Sequence, residues 1–436
     1  MKELTVEVGI MTAKEICFVL QAPYLCGTTQ CEGEQTASTR EGKVYWNGRL
    51  FEELLFVPLA EMESSFELAD VTIGVNFHWE RKECQRFPGA LKLEADTDGL
   101  IAINCVPVET YLTSVISSEM SASASLELLK AHAVISRSWL LNIMEHNKQR
   151  TVSNKNTGAA VVAANNPQEH IVWYDHQAHR RFDVCADDHC QRYQGTTRMT
   201  NPNVIRAVEE TWGEVLTSDG KICDARFSKC CGGVMEEFRY CWEDKEVSYL
   251  KAARDGETGE SFPDLTLEPE AQKWIRTSPD AFCRTADKQI LAQVLNNYDR
   301  ETSDFFRWKV EYTTEELSEI VKRRSGIDFG EIIELQPLER GKSGRLSKLR
   351  IVGSKRTVIV GKELEIRRFL SSSHLYSSAF VVDKEKNCFI LTGAGWGHGV
   401  GLCQIGAAMM GCKGYKYDEI LLHYYPGATI DKLYEK

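Results

Sequence analysis

The 436-residue sequence lacks long apolar runs, internal repeats and low-complexity tracts. Its longest apolar runs, "ELLFVPLA" and "WLLNIM", fall far short of the roughly 18 residues that a membrane-spanning helix needs. No secretory signal is recognisable either, because the start "MKELTVEVGIMTAKEICFVL" mixes charges with alternating apolar residues and has no small-residue cleavage site. These absences predict a protein without a membrane span and, taken alone, favour the cytosol.

An excess of positive charge is also missing. Lysine and arginine number 52 against 63 aspartates and glutamates, which gives a formal net charge of −11. Such a balance argues against nucleic acid as a partner, since polyanions are bound by basic surfaces. A G-x-G-x-x-G fingerprint is absent as well, which argues against a dinucleotide-binding domain.

What the sequence does contain predicts an α+β fold with mostly antiparallel strands. Residues 1–105 alternate like short strands, and "LELLKAHAVISRSWLLNI" predicts a long helix over 126–143, with a serine N-cap before it. Helices and strands do not alternate regularly, as a doubly wound sheet would require. We therefore divide the chain into four parts. Residues 1–105 are a β-rich part, and residues 106–265 and 331–436 are the two halves of a core. A charged helical insertion, residues 266–330, separates these halves.

Glu119 is the first candidate for chemistry. It follows an apolar amphipathic segment and precedes Met120, and a carboxyl group in apolar surroundings tends to stay protonated, which suits a general acid. Lys130 and Arg137 lie seven residues apart and so share one face of the long helix, where they could bind an anionic or polyhydroxyl substrate. The alternative is structural: Lys130 pairs with Glu127, and Arg137 is solvated or salt-bridged.

The stretch "GAGWGHGVG", residues 393–401, has glycine at every second position. Bare backbone suits the close approach of a flat ligand or of another segment of the chain. Trp396 could stack on a sugar, and His398 could donate a hydrogen bond or transfer a proton. The alternative is a turn with positive φ angles and a core tryptophan.

Fifteen cysteines, an odd number, favour reduced and buried thiols together with a metal site. His179, Cys185, His189 and Cys190 form an array of two imidazoles and two thiols that suits tetrahedral zinc in a structural role, unless they are scattered core residues. In "FSKCCGG", Ser228 and Lys229 could face a cleft. A reactive thiol with His398 as its partner would make a Cys–His hydrolase, but the spacing singles out none of the fifteen cysteines as the nucleophile.

Five segments together resemble the SpoIID/LytB family, which includes the stage II sporulation protein D and amidase-enhancer proteins. They are "VPVETYLTSVISSEMSASASLELLKAHAVISRSWLL", "HCQRYQG", "VEETWGEVLTSDGKICDARFSKCCGG", "RGKSGRLSKLRIVGS" and "GWGHGVGLCQIGAAMMGCKGYKYDEILLHYYPGATI". They run in the family's order from about residue 70 to the C-terminal end. The sequence departs from the family at Ser121, where proline is usual, and at Leu402 and Cys403, where methionine and serine are frequent.

The resemblance implies a peptidoglycan lytic transglycosylase, with Glu119 as its single acid/base group. It implies substrate binding by Lys130, Arg137, Trp396 and His398, to which we add Ser228, Lys229 and Gln404, and a structural zinc site at the His–Cys array. The predicted partners are glycan strands or recovered muropeptides, and an amidase if the protein is instead a non-catalytic glycan-binding or amidase-enhancing module. A metallohydrolase is a further alternative. The family implies the cell envelope, so the sequence leaves the localisation open.

Overall fold

The computed structural model describes residues 3–60, 64–73, 81–121, 123–153, 160–162, 166, 168–174, 179–187, 190–198, 201–257, 259, 261–294 and 305–436. Within these residues it has the predicted α+β character, with helices packed on mostly antiparallel sheets. None of the helices in this part of the chain combines the length and the apolar character that a membrane span requires.

The N-terminal region forms a large antiparallel sheet. Its strands alternate apolar and polar residues, so Ile16, Phe18 and Leu20 point into the core while Glu15 and Cys17 face outward. The strands are β1 Thr5–Ala13, β2 Glu15–Cys26, β3 Thr29–Arg40, β4 Lys43–Trp46, β5 Arg49–Phe51, β6 Glu53–Pro58, β7 Ser65–Ile73, β8 Arg81–Pro88, β9 Ala90–Asp96 and β10 Gly99–Pro107.

Two helices follow this sheet and cross its core: α1 Val108–Glu119 and α2 Leu126–Ser153. The predicted serine cap is present, because the Ser125 hydroxyl accepts a hydrogen bond from the amide of Leu128 at 3.3 Å. The apolar faces of both helices, including Leu112, Val115 and Leu129, are fully buried. This packing holds the C-terminal end of α1, with Glu119, against α2.

The middle of the chain consists of short elements. Among them, β13 extends the N-terminal sheet by pairing in parallel with β1. The elements are β11 Ala160–Val162, β12 Glu169–Tyr174, β13 Val184–Cys185, α3 Pro202–Glu210, β14 Glu214–Ser218, β15 Lys221–Ile222, β16 Phe227–Ser228, α4 Phe238–Cys241, α5 Glu268–Arg276 and α6 Lys288–Val294.

A second hydrophobic core gathers buried residues from Trp308 to Leu391. The described part of 266–330 contains three helices, as its helical composition predicts, but it also contains a strand. The segment "RWKVEYT" is strand β17, which pairs with β22 and places Trp308, Val310 and Tyr312 on one face. The elements are β17 Arg307–Thr313, α7 Thr314–Ser325, β18 Ile332–Arg340, β19 Leu346–Gly353, β20 Thr357–Gly361, α8 Glu363–Phe369, β21 Phe380–Glu385 and β22 Cys388–Ala394.

The C-terminal segment returns to the first core. Its two helices lie in "CQIGAAMMGC" and "YKYDEILLHYYPG", and the first of them contacts α2 and α6. The elements are β23 Leu402–Cys403, α9 Gln404–Cys412, α10 Tyr417–Tyr424 and β24 Thr429–Lys432. The start of α9 thereby meets the end of α1.

Candidate functional site

Glu119 is the last residue of α1. The helix stops there because Met120 is extended, with φ −111° and ψ 149°. Its carboxylate is 17% exposed, and one oxygen, Oε1, accepts a hydrogen bond from the backbone amide of Arg192 at 3.3 Å. The carboxylate is therefore both held by the protein and open to solvent.

His132 of α2 faces this carboxylate, although our sequence analysis did not select it. Its Nε2 lies 3.8 Å from Glu119 Oε2 and 3.2 Å from Gln404 Nε2, while its Nδ1 lies 3.1 Å from the hydroxyl of Ser136. The side chain is fully buried. Burial, with the positive charge of Lys229 as a second cause, lowers the pKa of His132 to about 3, so the ring is neutral at physiological pH.

Gln404 and Lys229 complete the site. Gln404 is the first residue of α9 and is buried, and Lys229 follows β16, which pairs with β23 immediately before α9. The Lys229 ammonium donates a hydrogen bond to the carbonyl of Val294, the last residue of α6, at 2.7 Å. Of the predicted site residues, Glu119 and Gln404 therefore both contact His132. Lys229 lies close enough to lower the pKa of that ring.

The end of α6 also touches the turn that follows Glu119. The carbonyl of Gln293 accepts a hydrogen bond from the amide of Ser121 at 3.1 Å, and its side-chain oxygen accepts one from the amide of Ser125 at 3.0 Å. Together with the contact to Lys229, these bonds place the last turn of α6 between the serine-rich turn and β16. The segment 266–330 thus contributes to the site.

Lys130 and Arg137 do share one face of α2, but the structure corrects their assignment to substrate binding. Their face packs on α3 and β14. Lys130 pairs with Glu210 at 2.5 Å and with Glu127 at 3.6 Å, as the structural alternative predicts. Arg137 is fully buried and donates to both carboxylate oxygens of Glu109, at 2.8 Å and 2.5 Å, and to a backbone carbonyl of β14 at 2.8 Å. A guanidinium held in this way is not free to bind a substrate.

The alternating glycines make room for the protein itself. Gly395, Gly397, Gly399 and Gly401 all have φ between +69° and +89°. A Cβ atom on Gly399 would lie 2.5 Å from Cζ of Arg345, and one on Gly395 would lie 2.7 Å from the carbonyl oxygen of Cys230. The stretch is therefore not a flat, extended wall of a cleft, because its bare positions are filled by a buried arginine and by neighbouring backbone.

Trp396 and His398, within the same stretch, contact aromatic side chains. The indole of Trp396 stacks on Phe305 with ring centroids 4.7 Å apart, and the edge of Tyr376 approaches it at 4.9 Å. His398 packs edge-on against Trp242, and its Nδ1 accepts a hydrogen bond from the amide of Val400 at 3.0 Å. Burial and nearby arginines lower the pKa of His398 well below its usual range, so it is neutral. Neither ring contacts Glu119 among the described residues.

The two candidates in "FSKCC" are also enclosed. The hydroxyl of Ser228 is buried and has no hydrogen-bond partner among the described residues. Cys230 and Cys231 are buried as well, and the thiol of Cys231 faces Asp255 and Cys283 instead of His398. The Cys231 thiol is therefore not the partner of His398 that the hydrolase alternative needs.

Three of the four predicted zinc ligands come together. The ligand atoms of His179, Cys185 and Cys190 all lie within 4.8 Å of one another, with His179 Nε2 3.3 Å from Cys190 Sγ. His189 lies outside the described residues. Two thiols and an imidazole are donors that zinc prefers. Arg192, whose amide binds Glu119, follows Cys190 by two residues.

The fold and the site define an α+β protein in which a half-buried glutamate, a neutral histidine and a glutamine converge from three helices. Comparison with protein-family models matches residues 96–218 to the family described as stage II sporulation protein, SpoIID. A second match, over residues 236–401, is to a domain of unknown function. The first matched range contains both α1 and α2, with Glu119 and His132.

Individual relatives extend the similarity over most of the chain. The amidase enhancer of Bacillus subtilis (strain 168) is 27% identical over 330 residues, which cover 73% of this chain and 40% of that protein. The stage II sporulation protein D of the same organism is 25% identical over 332 residues, which cover 76% of both chains. The chain thus spans less than half the length of the amidase enhancer. Its residues 96–218 match the SpoIID family model, and these relatives extend the similarity over about three quarters of the chain.

Proposed function

We propose that the protein acts on the bacterial cell wall and cleaves the glycan strand of peptidoglycan as a lytic transglycosylase. The observation that carries this proposal is the single half-buried carboxylate of Glu119, held against His132 at the end of α1. The family supports a role connected with the cell wall, since its relatives are named as an amidase enhancer and a sporulation protein. A lytic mechanism needs one acid group, whereas hydrolytic glycosidases usually need two carboxylates.

A single acid suffices for lytic cleavage. Glu119 donates its proton to the glycosidic oxygen as the bond from that oxygen to C1 of the muramic acid breaks. The C6 hydroxyl of the same sugar then forms a bond to C1 and gives its proton to the Glu119 carboxylate, which restores the acid. The product carries a 1,6-anhydro ring. Because the attacking hydroxyl belongs to the substrate, holding it near C1 brings an entropic advantage of up to about 7–11 kcal/mol.

The residues around Glu119 have supporting roles in this proposal. The amide of Arg192 and the neutral ring of His132 orient the carboxylate, and Gln404 fixes that ring in turn. Lys229 is the cation of the predicted set that remains near the site and could bind an N-acetyl or lactyl group. Zinc at His179, Cys185 and Cys190 would hold the Arg192 segment in place, which is a structural contribution.

Purified glycan strands without stem peptides provide the test. We expect the wild-type protein to generate anhydro-muramoyl ends, detected by mass spectrometry, and Glu119→Gln to generate none. Glu145→Gln, which neutralises an exposed glutamate on α2, is the matched control and should retain activity. Anhydro ends that persist in Glu119→Gln would contradict the mechanism.

The second candidate function is a non-catalytic glycan-binding or amidase-enhancing module, favoured by the name of the amidase enhancer relative. It predicts that the wild type yields no anhydro ends but binds glycan strands or raises the rate of a cell-wall amidase. Binding that survives in Glu119→Gln, together with an absence of cleavage in the wild type, would favour this candidate over the transglycosylase.

A further inference from the structure

A second cluster of potential metal ligands lies in the protein interior, apart from the His179 cluster. The thiols of Cys231, Cys283 and Cys403 and a carboxylate oxygen of Asp255 all lie within 4.8 Å of one another, and all four residues are buried. They come from chain positions up to 172 residues apart. Hydrophobic packing does not account for this cluster, because it includes a buried carboxylate.

The distances suit a single tetrahedral ion. Cys231 Sγ lies 3.6 Å from Cys283 Sγ and 3.3 Å from Asp255 Oδ2. Zinc–sulfur bonds of about 2.3 Å in a tetrahedron place two sulfurs about 3.8 Å apart, so the observed separations are those of ligands around one centre. A disulfide would need the two sulfurs at about 2.0 Å, and the structure has all three thiols free.

The surroundings of the cluster resemble the outer shell of a metal site. The hydroxyl of Tyr424 donates to Asp255 Oδ1 at 2.7 Å and leaves Oδ2 directed at the thiols, where it also accepts the Cys283 amide at 3.0 Å. Backbone amides approach two of the sulfurs: the amide of Cys231 donates to Cys403 Sγ at 3.2 Å, and that of Gly233 donates to Cys231 Sγ at 3.4 Å. Hydrogen bonds of this kind orient ligands and stabilise their negative charge.

A positive charge lies near the cluster. Three thiolates and a carboxylate around a divalent ion would carry a net negative charge, and Arg307 lies close enough to interact with the thiols of Cys231 and Cys283. Its guanidinium is held there by a hydrogen bond that it donates to the carbonyl of Gly232 at 3.1 Å. A fourth buried thiol, Cys230, lies beside Cys283 and Cys403. Asp255 completes the closed set within 4.8 Å, so we assign it as the fourth ligand.

We infer that Cys231, Asp255, Cys283 and Cys403 form a structural site for a thiolate-preferring divalent ion, with zinc as the best match to the donor set. All four positions of the ion are taken by protein, so it has no open position for a substrate. The ion clamps the segment after β16 to the start of α9. Lys229 and Gln404 lie two residues and one residue from its ligands, so the clamp also fixes one side of the Glu119 site.

The test uses the full chain with the His179 cluster disabled by Cys185→Ser and Cys190→Ser. We expect this variant to retain about one zinc per chain by elemental analysis. Its cobalt-substituted form should show thiolate-to-metal charge transfer and the intense visible bands of a tetrahedral ion. Loss of all zinc and of charge transfer in this folded variant would overturn the inference, as would a Cys231–Cys283 disulfide found by peptide mapping without reduction.

Additional substitutions in the same background identify the ligands. Cys403→Ser and the nearly isosteric Asp255→Asn should each lower the zinc content and weaken cobalt binding by at least about tenfold, as expected for removal of a ligand. Cys241→Ser alters a buried thiol outside the cluster and should leave the zinc content unchanged. If Cys403→Ser does not fold, the cobalt spectrum of the parent variant and of Asp255→Asn still decides the question. Loss of metal in Cys230→Ser, with full retention in Asp255→Asn, would overturn the assignment of Asp255.

Discussion

The two ends of helix α1 each present a glutamate to helix α2, and their environments are opposite. At the first turn, Glu109 is 2% exposed and receives two hydrogen bonds from Arg137 and one from the hydroxyl of Tyr434 at 2.7 Å. At the last turn, Glu119 is 17% exposed and faces the neutral ring of His132 at 3.8 Å. Both carboxylates have partners in the protein, but only the second is partly exposed, and there we propose that the substrate binds. The difference teaches that one helix can hold a buried ion pair at one end and a partly exposed carboxylate beside a neutral ring at the other.

The largest expected effect is on activity at the open end of α1. Glu119→Gln should lower the rate of glycan cleavage by at least about 10²–10⁴-fold, since it removes the proton donor. Its free energy of unfolding should stay within about 1 kcal/mol of the wild type, because glutamine keeps the size of the side chain and can still accept the hydrogen bond from the amide of Arg192. Glycan cleavage and urea unfolding measured on the same preparation check both statements. A large loss of stability in Glu119→Gln would contradict the contrast between the Glu109 end and the Glu119 end of α1.

At the first turn of α1, where Glu109 is buried, we expect a substitution to lower stability rather than activity. Arg137→Met leaves Glu109 buried without its cation, and breaking a buried ion pair costs about 3–5 kcal/mol. Urea or thermal unfolding should therefore show a strongly destabilised protein. Glycan cleavage per folded molecule, measured well below the transition, should be close to that of the wild type. A stable but inactive Arg137→Met protein would restore Arg137 to the substrate-binding set.

His132 gives a pH-dependent test of the same comparison. Its pKa in the folded protein is about 3, below the ordinary value near 6.5, so unfolding lets the ring take up a proton between these values. The unfolded state is then favoured as the pH falls from about 6.5 towards 3, by an amount on the order of a few kcal/mol. The free energy of unfolding of His132→Gln should fall less steeply over this window. Equal slopes for the two proteins would contradict a buried neutral ring.

The smallest effect is expected at Lys130. Its ion pairs with Glu210 and Glu127 lie near the surface, where such pairs contribute about 0–1 kcal/mol. Lys130→Met keeps the length of the aliphatic stem and should change both stability and cleavage little. A substantial loss of cleavage with unchanged stability would instead indicate that Lys130 leaves Glu210 to bind the glycan.

Much of the local structure was predictable because it depends on neighbours in the sequence. The α+β class, the serine cap of α2 and the role of Glu119 as the end of an apolar segment all follow from periodicity and capping. The spacing of Lys130 and Arg137 correctly places them on one face, but spacing does not say what that face contacts. His132 was missed for the same reason, since it lies on another face of the same helix and only the packing of α9 brings Gln404 to it.

Longer-range features could not be predicted from one sequence. The glycines in residues 393–401 predict that either a ligand or another segment of the chain lies close to the backbone. Only the tertiary structure shows that Arg345 occupies this space. The interior cluster requires Asp255 and Cys283, which stand alone in the sequence and reach Cys231 and Cys403 through tertiary contacts. Residues 307–313 form a strand within a segment whose overall composition favours helices.

The last turn of α6 has a consequence for control of the protein. Its residues Gln293 and Val294 hold the serine-rich turn on one side and Lys229 on the other through backbone and side-chain bonds. Any partner that drew this turn outward would loosen both borders of the Glu119 site in one movement. A short helix far from Glu119 in the sequence therefore supports both borders of the candidate site.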